Sequence, residues 1–275
     1  MNPAPLTSES VPSEPARRVR LYPDAPERDA VRAYVESGAW RAPAAARRLA
    51  TRNPRYEVWA FSLPGTSTDA ILKIAQAAPA SYPPARRLNA LVSHLLRDPA
   101  RRAATGARLL AAAGVPTYRP LACWQARRAG RFRDSFLLYA AIPALRSLRE
   151  IKLHDPGALA PMVEPLADLV ARLHARGLRH DDLACGNFLV AENGLLQLID
   201  TDHVHRARRL GLPALKRFFD LNDLRRLDLD EPLRREFLRR YLGGRDSAFW
   251  WRVHLFWRHG GNRPLRWLRH RLLRR

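Results

Sequence analysis

The stretch LRHDDLACGNFLVAENGLLQLIDTDHVH, residues 178–205, places polar side chains where the surrounding pattern is apolar. Asp182 and Asn187 lie five residues apart in a loop that begins with His180, and Asp200 directly follows the apolar run LLQLI. An Asp at the end of an apolar strand commonly reaches a cleft. The segment therefore predicts a loop, a short hairpin and a strand that together present three oxygen-bearing side chains.

This order of residues is typical of enzymes that transfer a phosphoryl group from ATP. Such transfer needs a carboxylate to orient the acceptor hydroxyl and oxygen ligands that hold Mg²⁺ on the phosphates. The pattern His-x-Asp-x₄-Asn, followed by a strand that ends in Asp, supplies these groups in one unit. A single Asp or Asn in a turn usually reflects turn chemistry alone, but the ordered set of Asp182, Asn187 and Asp200 indicates phosphoryl transfer.

The chain before this segment reads as strands with one helix. The runs 56–63 and 69–75 are strand-like and are joined by PGTST, a good hairpin linker. A helix begins at Asp98 as the N-cap with Pro99 in its first position, and it ends at Gly114. Two further strands are expected in PLACWQARR and SFLLYAAI, and the segment 76–86 is expected to be irregular.

The chain after residue 142 reads as mostly helical. An amphipathic helix is predicted over residues 159–176, because its apolar positions repeat at helical spacing. The predicted class is α+β, with a bilobal plan. The predicted domains are a disordered tail at 1–16, an N-lobe at 17–142, and a C-lobe at 143–275 that ends in a basic segment rich in Trp and Arg.

Composition limits the partners and the setting. The 275 residues carry a formal charge of +22, which favours anionic partners, although only three of the 48 basic residues are lysine and a coding preference for Arg could explain much of the charge. Two cysteines are too few for a disulfide framework, so a reducing cytosol is expected. No signal peptide and no membrane-spanning run are expected. No nucleic-acid module accompanies the basic residues, so no nucleic acid is expected as a partner.

The loop and its surroundings resemble the catalytic core of kinase-like phosphotransferases. Within that class they are most similar to the lipopolysaccharide kinase family, which phosphorylates Kdo or heptose of the lipid A–core. The resemblance spans about residues 55–228 and rests on LHARGLRHDDLACGNFLV, LIDTDH, AAGVPTYRPLA and FLLYAAIPALRSL. It implies a bilobal protein-kinase-like fold, with a small N-lobe sheet plus helix and a larger, mostly helical C-lobe. It also implies an ATP-dependent phosphotransferase.

The resemblance also implies roles for individual residues. Asp182 would be the catalytic base that orients the sugar hydroxyl, and His180 would position its loop. Asn187 and Asp200 would bind Mg²⁺, with Asp202 as a further candidate beside the metal. Lys73, on the second strand of the predicted hairpin, would contact the α- and β-phosphates of ATP.

Two departures from the family pattern leave a weakly active, kinase-like binding protein as an alternative. The predicted hairpin offers only Gly65 in place of a Gly-rich phosphate loop. The family's N-lobe helix usually carries a Glu that pairs with the strand lysine, whereas residues 101–105 contain no acid. Glu57 and Glu36 are the candidates to replace it.

The expected acceptor is an anionic lipopolysaccharide or lipid A–core sugar, which the positive charge would suit. Another small-molecule kinase of the aminoglycoside phosphotransferase type is the alternative, but cationic aminoglycosides do not suit a chain of +22. The expected location is cytoplasmic, with peripheral contact on the inner face of the cytoplasmic membrane. Trp250, Trp251, Trp257 and Trp267 among the C-terminal arginines favour either that contact or a helix that buries its tryptophans.

Overall fold

A computed structural model describes residues 16–22, 27–42, 45–51, 53–79, 81–96, 98–127, 132–143, 146–191, 193–207, 213–244 and 248–259. These residues belong to two compact units. Unit 1 contains the chain through Arg101 together with Pro120–Ala141, and unit 2 contains Arg102–Arg119 and the chain from Ile142 onward. Nearly all of the predicted tail at 1–16 lies outside the described residues.

Unit 1 is built on a six-stranded antiparallel sheet with the order β1-β5-β6-β4-β3-β2. Its strands are β1 (Arg17–Leu21), β2 (Arg47–Leu49), β3 (Tyr56–Ser62), β4 (Asp69–Ala75), β5 (Pro120–Ala126) and β6 (Asp134–Ala140). The hairpin and the two later strands lie where the sequence predicts them. Strands β1 and β2 were not predicted, because their arginine-rich sequences RRVRL and RRL hide the alternation of apolar residues on which strand prediction depends.

The two faces of this sheet differ. One face packs against α1 (Arg28–Ser37) and the turn that follows it, through a cluster of aromatic and aliphatic side chains that includes Trp40, Phe61, Leu72 and Phe136. Lys73 lies on the opposite face, because side chains alternate along β4 and its neighbour Leu72 is in the core. The Lys73 Nζ is 4.6 Å from the centre of the Tyr56 ring.

A helix that the sequence did not predict, α2 (Pro84–Leu96), packs on the Lys73 face. The Nε2 of His94 is 3.1 Å from the Oγ of Ser135 on β6, and Ser135 shares the face of Lys73 in the strand register. The Arg55 guanidinium also donates to the Ala90 carbonyl oxygen on this helix. The prolines around residue 84 suggested irregular chain, whereas Pro84 occupies the first position of the helix, where its fixed φ is favourable.

Unit 2 contains most of the helices. Helix α3 (Pro99–Ala112) crosses the division at residue 101, and Asp98 caps it by accepting the backbone N–H groups of Ala100 and Arg101 at 3.1 and 3.2 Å. The later helices are α4 (Leu148–His154), α5 (Val163–Ala175), α6 (Pro213–Asp223), α7 (Glu231–Tyr241) and α8 (Ala248–Arg258). The helix predicted over 159–176 is therefore α5, preceded by a 3-10 turn at Pro156–Met162.

Short strands complete unit 2. Strands β7 (Arg146–Ser147), β9 (Phe188–Val190) and β10 (Leu196–Leu198) form one sheet, and β8 (Leu178–His180) pairs with β11 (Val204–Arg206). The core draws buried side chains from α3 through α8, and Trp257 on α8 is buried with its indole N–H donating to the Phe218 carbonyl oxygen at 2.9 Å. Trp250 and Trp251 are partly buried against the same core, and Trp267 lies outside the described residues.

The mixture of a sheet-rich unit and a helix-rich unit confirms the predicted α+β class. Residues 102–119 belong to unit 2. The sequence analysis had assigned them to the N-lobe, which it predicted over 17–142. The predicted lobe boundaries stay a prediction. Among the described residues, no helix has the length and apolar composition needed to cross a membrane.

We expect the stability of unit 2 to depend on the protonation of His254 on α8. This side chain is 2% exposed, neither ring nitrogen has a hydrogen-bond partner among the described residues, and burial with the charges of Arg234 and Arg258 lowers its pKa to about 4. Below pH 6.5 the unfolded chain binds a proton at His254, whereas the folded chain binds it only near pH 4. Stability is therefore lost as the pH falls from about 6.5 to 4, by roughly 3 kcal/mol from this residue.

Chemical denaturation at a series of pH values checks this expectation. His254→Phe should reduce the loss of unfolding free energy on acidification, while His154→Phe at an exposed position should leave it unchanged. Other buried histidines, His94 and His180, also have lowered pKa values and account for part of the remaining slope. An identical pH dependence in the wild type and His254→Phe would contradict the argument.

Candidate active site

The candidate site in unit 2 is built around His180, which is fully buried at the end of β8. Its Nε2 donates to the Ile199 carbonyl oxygen at 3.1 Å, and its Nδ1 accepts the backbone N–H of Asp182 at 3.3 Å. Only the neutral imidazole with hydrogen on Nε2 satisfies both bonds. Burial lowers the pKa of His180 and so favours this form. His180 thus joins the start of the loop to the end of β10.

Asp182 is held by its backbone, while its side chain remains 23% exposed. Besides the bond from its N–H to His180, its carbonyl oxygen accepts the side-chain amide of Asn187 at 2.8 Å. One carboxylate oxygen, Oδ1, accepts the Arg226 guanidinium at 2.7 Å. The carboxylate is therefore accessible in a loop that is positioned through main-chain contacts.

Asn187 is oriented by the same contact. Because a backbone carbonyl can only accept, the amide nitrogen of Asn187 must face Asp182, and its Oδ1 is the atom that can bind a cation. The backbone of Asn187 is fixed as well, since its N–H donates to the Ala184 carbonyl oxygen at 2.9 Å and its carbonyl oxygen accepts the N–H of Ile199 at 2.8 Å. The second bond brings Asn187 to the residue that precedes Asp200.

Asp200 adopts left-handed backbone angles, φ 59° and ψ 47°, which are uncommon for a residue with a side chain. Such a conformation costs on the order of 1 kcal/mol and persists only where the surroundings impose it. Single ligand atoms from Asp182, Asp200 and His203 all lie within 4.8 Å of one another. The structure therefore brings the predicted residues Asp182, Asn187 and Asp200 together and adds His203, which the sequence analysis did not assign to the site.

The turn after Asp200 is anchored to α3. The Oγ1 of Thr201 donates to the Ala103 carbonyl oxygen at 2.6 Å and lies 2.5 Å from the hydroxyl of Tyr118. The helix approaches so closely that a Cβ on Gly106 would collide with the Thr201 carbonyl oxygen. A glycine at position 106 is therefore required for the contact that holds the turn next to Asp200.

The sequence analysis missed Asp223, at the end of α6, which anchors the start of the loop through a hydrogen bond. Its carboxylate is almost completely buried and accepts the backbone N–H of His180 at 3.0 Å and the Nε2 of His174 at 3.3 Å. Although burial opposes ionisation, these bonds and the charges of His174 and Arg179 hold the pKa of Asp223 well below its usual range. Its only signal in the sequence is an acid within the apolar run FFDLNDL.

The charge of Arg179 on β8 is balanced by Asp220 on α6, the helix that also carries Asp223. Its guanidinium donates to Asp220 at 2.9 Å, with both side chains about 5% exposed, and Lys216 bonds the other Asp220 oxygen at 3.0 Å. Because Asp220 and Asp223 lie three residues apart, they share one face of α6. That face therefore presents two carboxylates to the strand that leads into the loop.

Lys73, the remaining predicted site residue, lies in unit 1. The acids proposed to pair with it lie on the other face of the sheet. Glu57 neighbours Val58, the cross-strand partner of Lys73, so it faces away from Lys73, and its carboxylate accepts the Gln76 amide at 2.5 Å. Glu36 is exposed on α1, which covers that same opposite face. The helix on the Lys73 face, α2, contains no acidic residue.

Two other residues of this region, Asp202 and Cys185, are buried. Asp202 is buried, and its carboxylate lies 3.7 Å from the Nε2 of His203, so it adjoins the cluster. Cys185 is buried, burial raises the pKa of its thiol, and the Sγ donates to the Asp228 carbonyl oxygen at 3.4 Å. A thiol in this environment is not activated as a nucleophile.

The fold and the Asp-Asn-Asp cluster together define the class, a phosphotransferase with a kinase-like fold. A model of the lipopolysaccharide kinase (Kdo/WaaP) family matches residues 92–241, more than half of the chain. The chain belongs to the lipopolysaccharide kinase (Kdo/WaaP) family. The predicted family and the predicted enzyme class, a kinase, are confirmed.

A solved structure supports the fold. WaaP in complex with acyl carrier protein has a TM-score of 0.53 and 17% sequence identity, covering 92% of this chain and 97% of the WaaP chain. At this identity the likeness shows the fold alone, and it confirms the predicted kinase-like fold. WbdD has a TM-score of 0.46 and 14% identity, over 78% of this chain and 44% of WbdD. No curated protein sequence matches the chain.

We expect Gly106→Ala to lower both stability and kinase activity. The added methyl group must push α3 away from Thr201, and overpacking of this kind typically costs about 1–3 kcal/mol. Activity should fall because the displaced turn carries Asp200. Gly157→Ala is the matched control, since a Cβ there meets only the Asp155 side chain at an ordinary 3.7 Å. Thermal unfolding and steady-state phosphoryl transfer measure the two effects, and equal behaviour of the two variants would refute the proposed role of Gly106.

Proposed function

We propose that this kinase transfers the γ-phosphoryl group of ATP to a hydroxyl of Kdo or heptose in the lipopolysaccharide inner core. The observation that carries the proposal is the convergence of Asp182, Asn187 and Asp200 on one edge of unit 2. Membership of the lipopolysaccharide kinase family supports the class of acceptor.

Asp182 is the proposed catalytic base. Its Oδ1 is bonded to Arg226, so its second carboxylate oxygen is the one that can accept the proton of the acceptor hydroxyl. Orienting that hydroxyl requires a carboxylate whose position is fixed. The bonds from the Asp182 backbone to His180 and Asn187 supply this rigidity without using the carboxylate.

The donor atoms on this edge fit Mg²⁺. Asn187 Oδ1 and the Asp200 carboxylate are hard oxygen ligands, which Mg²⁺ prefers, and phosphate oxygens commonly complete such sites. Asn187 and Asp200 are the residues proposed to hold the ion, with the carboxylate of Asp202 adjoining the cluster. When bound, the ion would neutralise charge on the phosphates of ATP.

Lys73 is the proposed ligand of the α- and β-phosphates of ATP. It is the only lysine on the unit 1 sheet, and it lies on the face that α2 covers rather than in the core. We propose that the ring of Tyr56, 4.6 Å from the ammonium group, contributes to its orientation.

The charge of +22 supports an anionic acceptor on lipid A, and hence action at the inner face of the cytoplasmic membrane. A positive field raises the local concentration of anionic lipid at a protein surface. The exposed Phe249 and Phe256 on α8 are consistent with peripheral contact, whereas Trp257 on the same helix is committed to the core.

We expect Asp182→Ala to abolish most of the Mg²⁺-dependent transfer of labelled γ-phosphate from ATP to Kdo–lipid A or to heptosylated core. Loss of a general base costs about 10²–10⁴-fold in rate. Asp181→Asn, which removes a neighbouring carboxylate from the same loop, is the control and should retain most of the activity. ATP binding should survive in both variants.

The outcomes separate the alternatives. Transfer that disappears only in Asp182→Ala supports the proposal and identifies the acceptor. Wild-type protein that binds ATP but phosphorylates neither acceptor would direct attention to another acceptor. Failure to bind Mg²⁺-ATP at all would refute the proposal and favour a kinase-like binding protein.

A further inference from the structure

Arg226 is a surface arginine whose guanidinium hydrogen-bonds the carboxylate of Asp182, the proposed catalytic base. The Nη1 to Asp182 Oδ1 distance is 2.7 Å, yet the Arg226 side chain is 54% exposed. It arrives from the 3-10 turn Leu224–Arg226, immediately after α6, which also carries the loop anchor Asp223. Arg226 is therefore only three residues from the carboxylate that anchors the loop.

A second arginine borders the same loop from another element. Arg149, in the first turn of α4, has its Cδ 3.8 Å from where a Cβ on Gly186 would stand. It is exposed, and the neighbouring acid Glu150 is engaged in capping its own helix through Ser147 at 2.7 and 2.9 Å. Arg149 thus borders the loop at Gly186, and Arg226 borders it at Asp182.

The ion pair between Arg226 and Asp182 is well suited to exchange. An exposed pair of this kind contributes about 0–1 kcal/mol, so a competing anion can displace or share it at little cost. The planar guanidinium has five N–H donors, and the bond to Oδ1 uses only one nitrogen. The remaining donors can bind a carboxylate or a phosphate in a forked geometry while Arg226 stays beside Asp182.

We propose that Arg226, assisted by Arg149, forms the subsite that binds the acidic group of the acceptor, a sugar carboxylate or a sugar phosphate, next to the hydroxyl that Asp182 engages. This subsite rests on the proposed function and deepens it. It makes acceptor recognition electrostatic, and it links recognition to catalysis because the anion engages the same guanidinium that bonds the catalytic base.

Matched acceptors test the subsite. A Kdo glycoside is compared with its uncharged methyl ester, and a phosphorylated heptose with the unphosphorylated sugar, so that the two arms distinguish carboxylate from phosphate. Wild-type kcat/KM should favour the charged member of at least one pair by about 10–100-fold, the range of a charge-assisted hydrogen bond. Equal rates for both members of both pairs would overturn the proposal.

Arg226→Gln should remove that preference, because KM should rise for the charged acceptor and not for its uncharged partner. Arg226→Lys should recover part of the preference, since it restores the charge without the fork. Arg235→Gln is the matched control, because Arg235 is also an exposed arginine paired with a carboxylate, that of Glu231 at 3.0 Å.

Three further results would contradict the subsite. An equal fall of kcat for all acceptors would make Arg226 a positioning residue for Asp182, and a rise in KM for ATP would make it a nucleotide ligand. Equilibrium binding of Kdo and of inorganic phosphate to the wild type and Arg226→Gln provides a readout that needs no turnover. Wild-type binding that weakens at least 10-fold in the variant supports the subsite even if neither sugar is phosphorylated, whereas equal binding refutes it.

Discussion

The buried carboxylate of Asp223 is the constraint on which the geometry of the site depends. A buried ion without partners costs several kcal/mol, so the surrounding chain must supply donors. The donors are the Nε2 of His174 and the backbone N–H of His180, with the charge of Arg179 nearby. Because His180 in turn orients Asp182 and the residue before Asp200, satisfying one carboxylate on α6 determines where the whole loop lies.

Buried and exposed ion pairs serve different purposes in unit 2. The Arg179–Asp220 pair is about 5% exposed, and the loss of either partner would leave an uncompensated buried charge, so it behaves as a permanent part of the structure. The Arg226–Asp182 pair is exposed on the arginine side and contributes little energy. The buried Arg179–Asp220 pair thus lies in the interior next to the strand that leads into the loop, and the weak Arg226–Asp182 pair lies at the surface, where the proposed acceptor would bind.

Strand register in unit 1 separates Lys73 from Glu57, one of the acids that the sequence offers as its partner. Strand register puts Glu57 on the core face and Lys73 on the face covered by α2, whose thirteen residues include no Asp or Glu. Neither Glu57 nor α2 therefore offers an acid on the Lys73 face. On that face the Lys73 ammonium group lies 4.6 Å from the centre of the Tyr56 ring, a distance that suits a cation–π contact.

The sequence by itself determined the features that depend on neighbours along the chain. The hairpin of β3 and β4, the Asp98 cap, and the loop that holds Asp182 and Asn187 all follow from local turn, cap and periodicity signals. Helix α2, the role of Asp223 and the demand for glycine at position 106 were decided only by tertiary structure. Each depends on a partner far away in sequence, such as Thr201 for Gly106, and local propensity contains no information about which distant atom a side chain will meet.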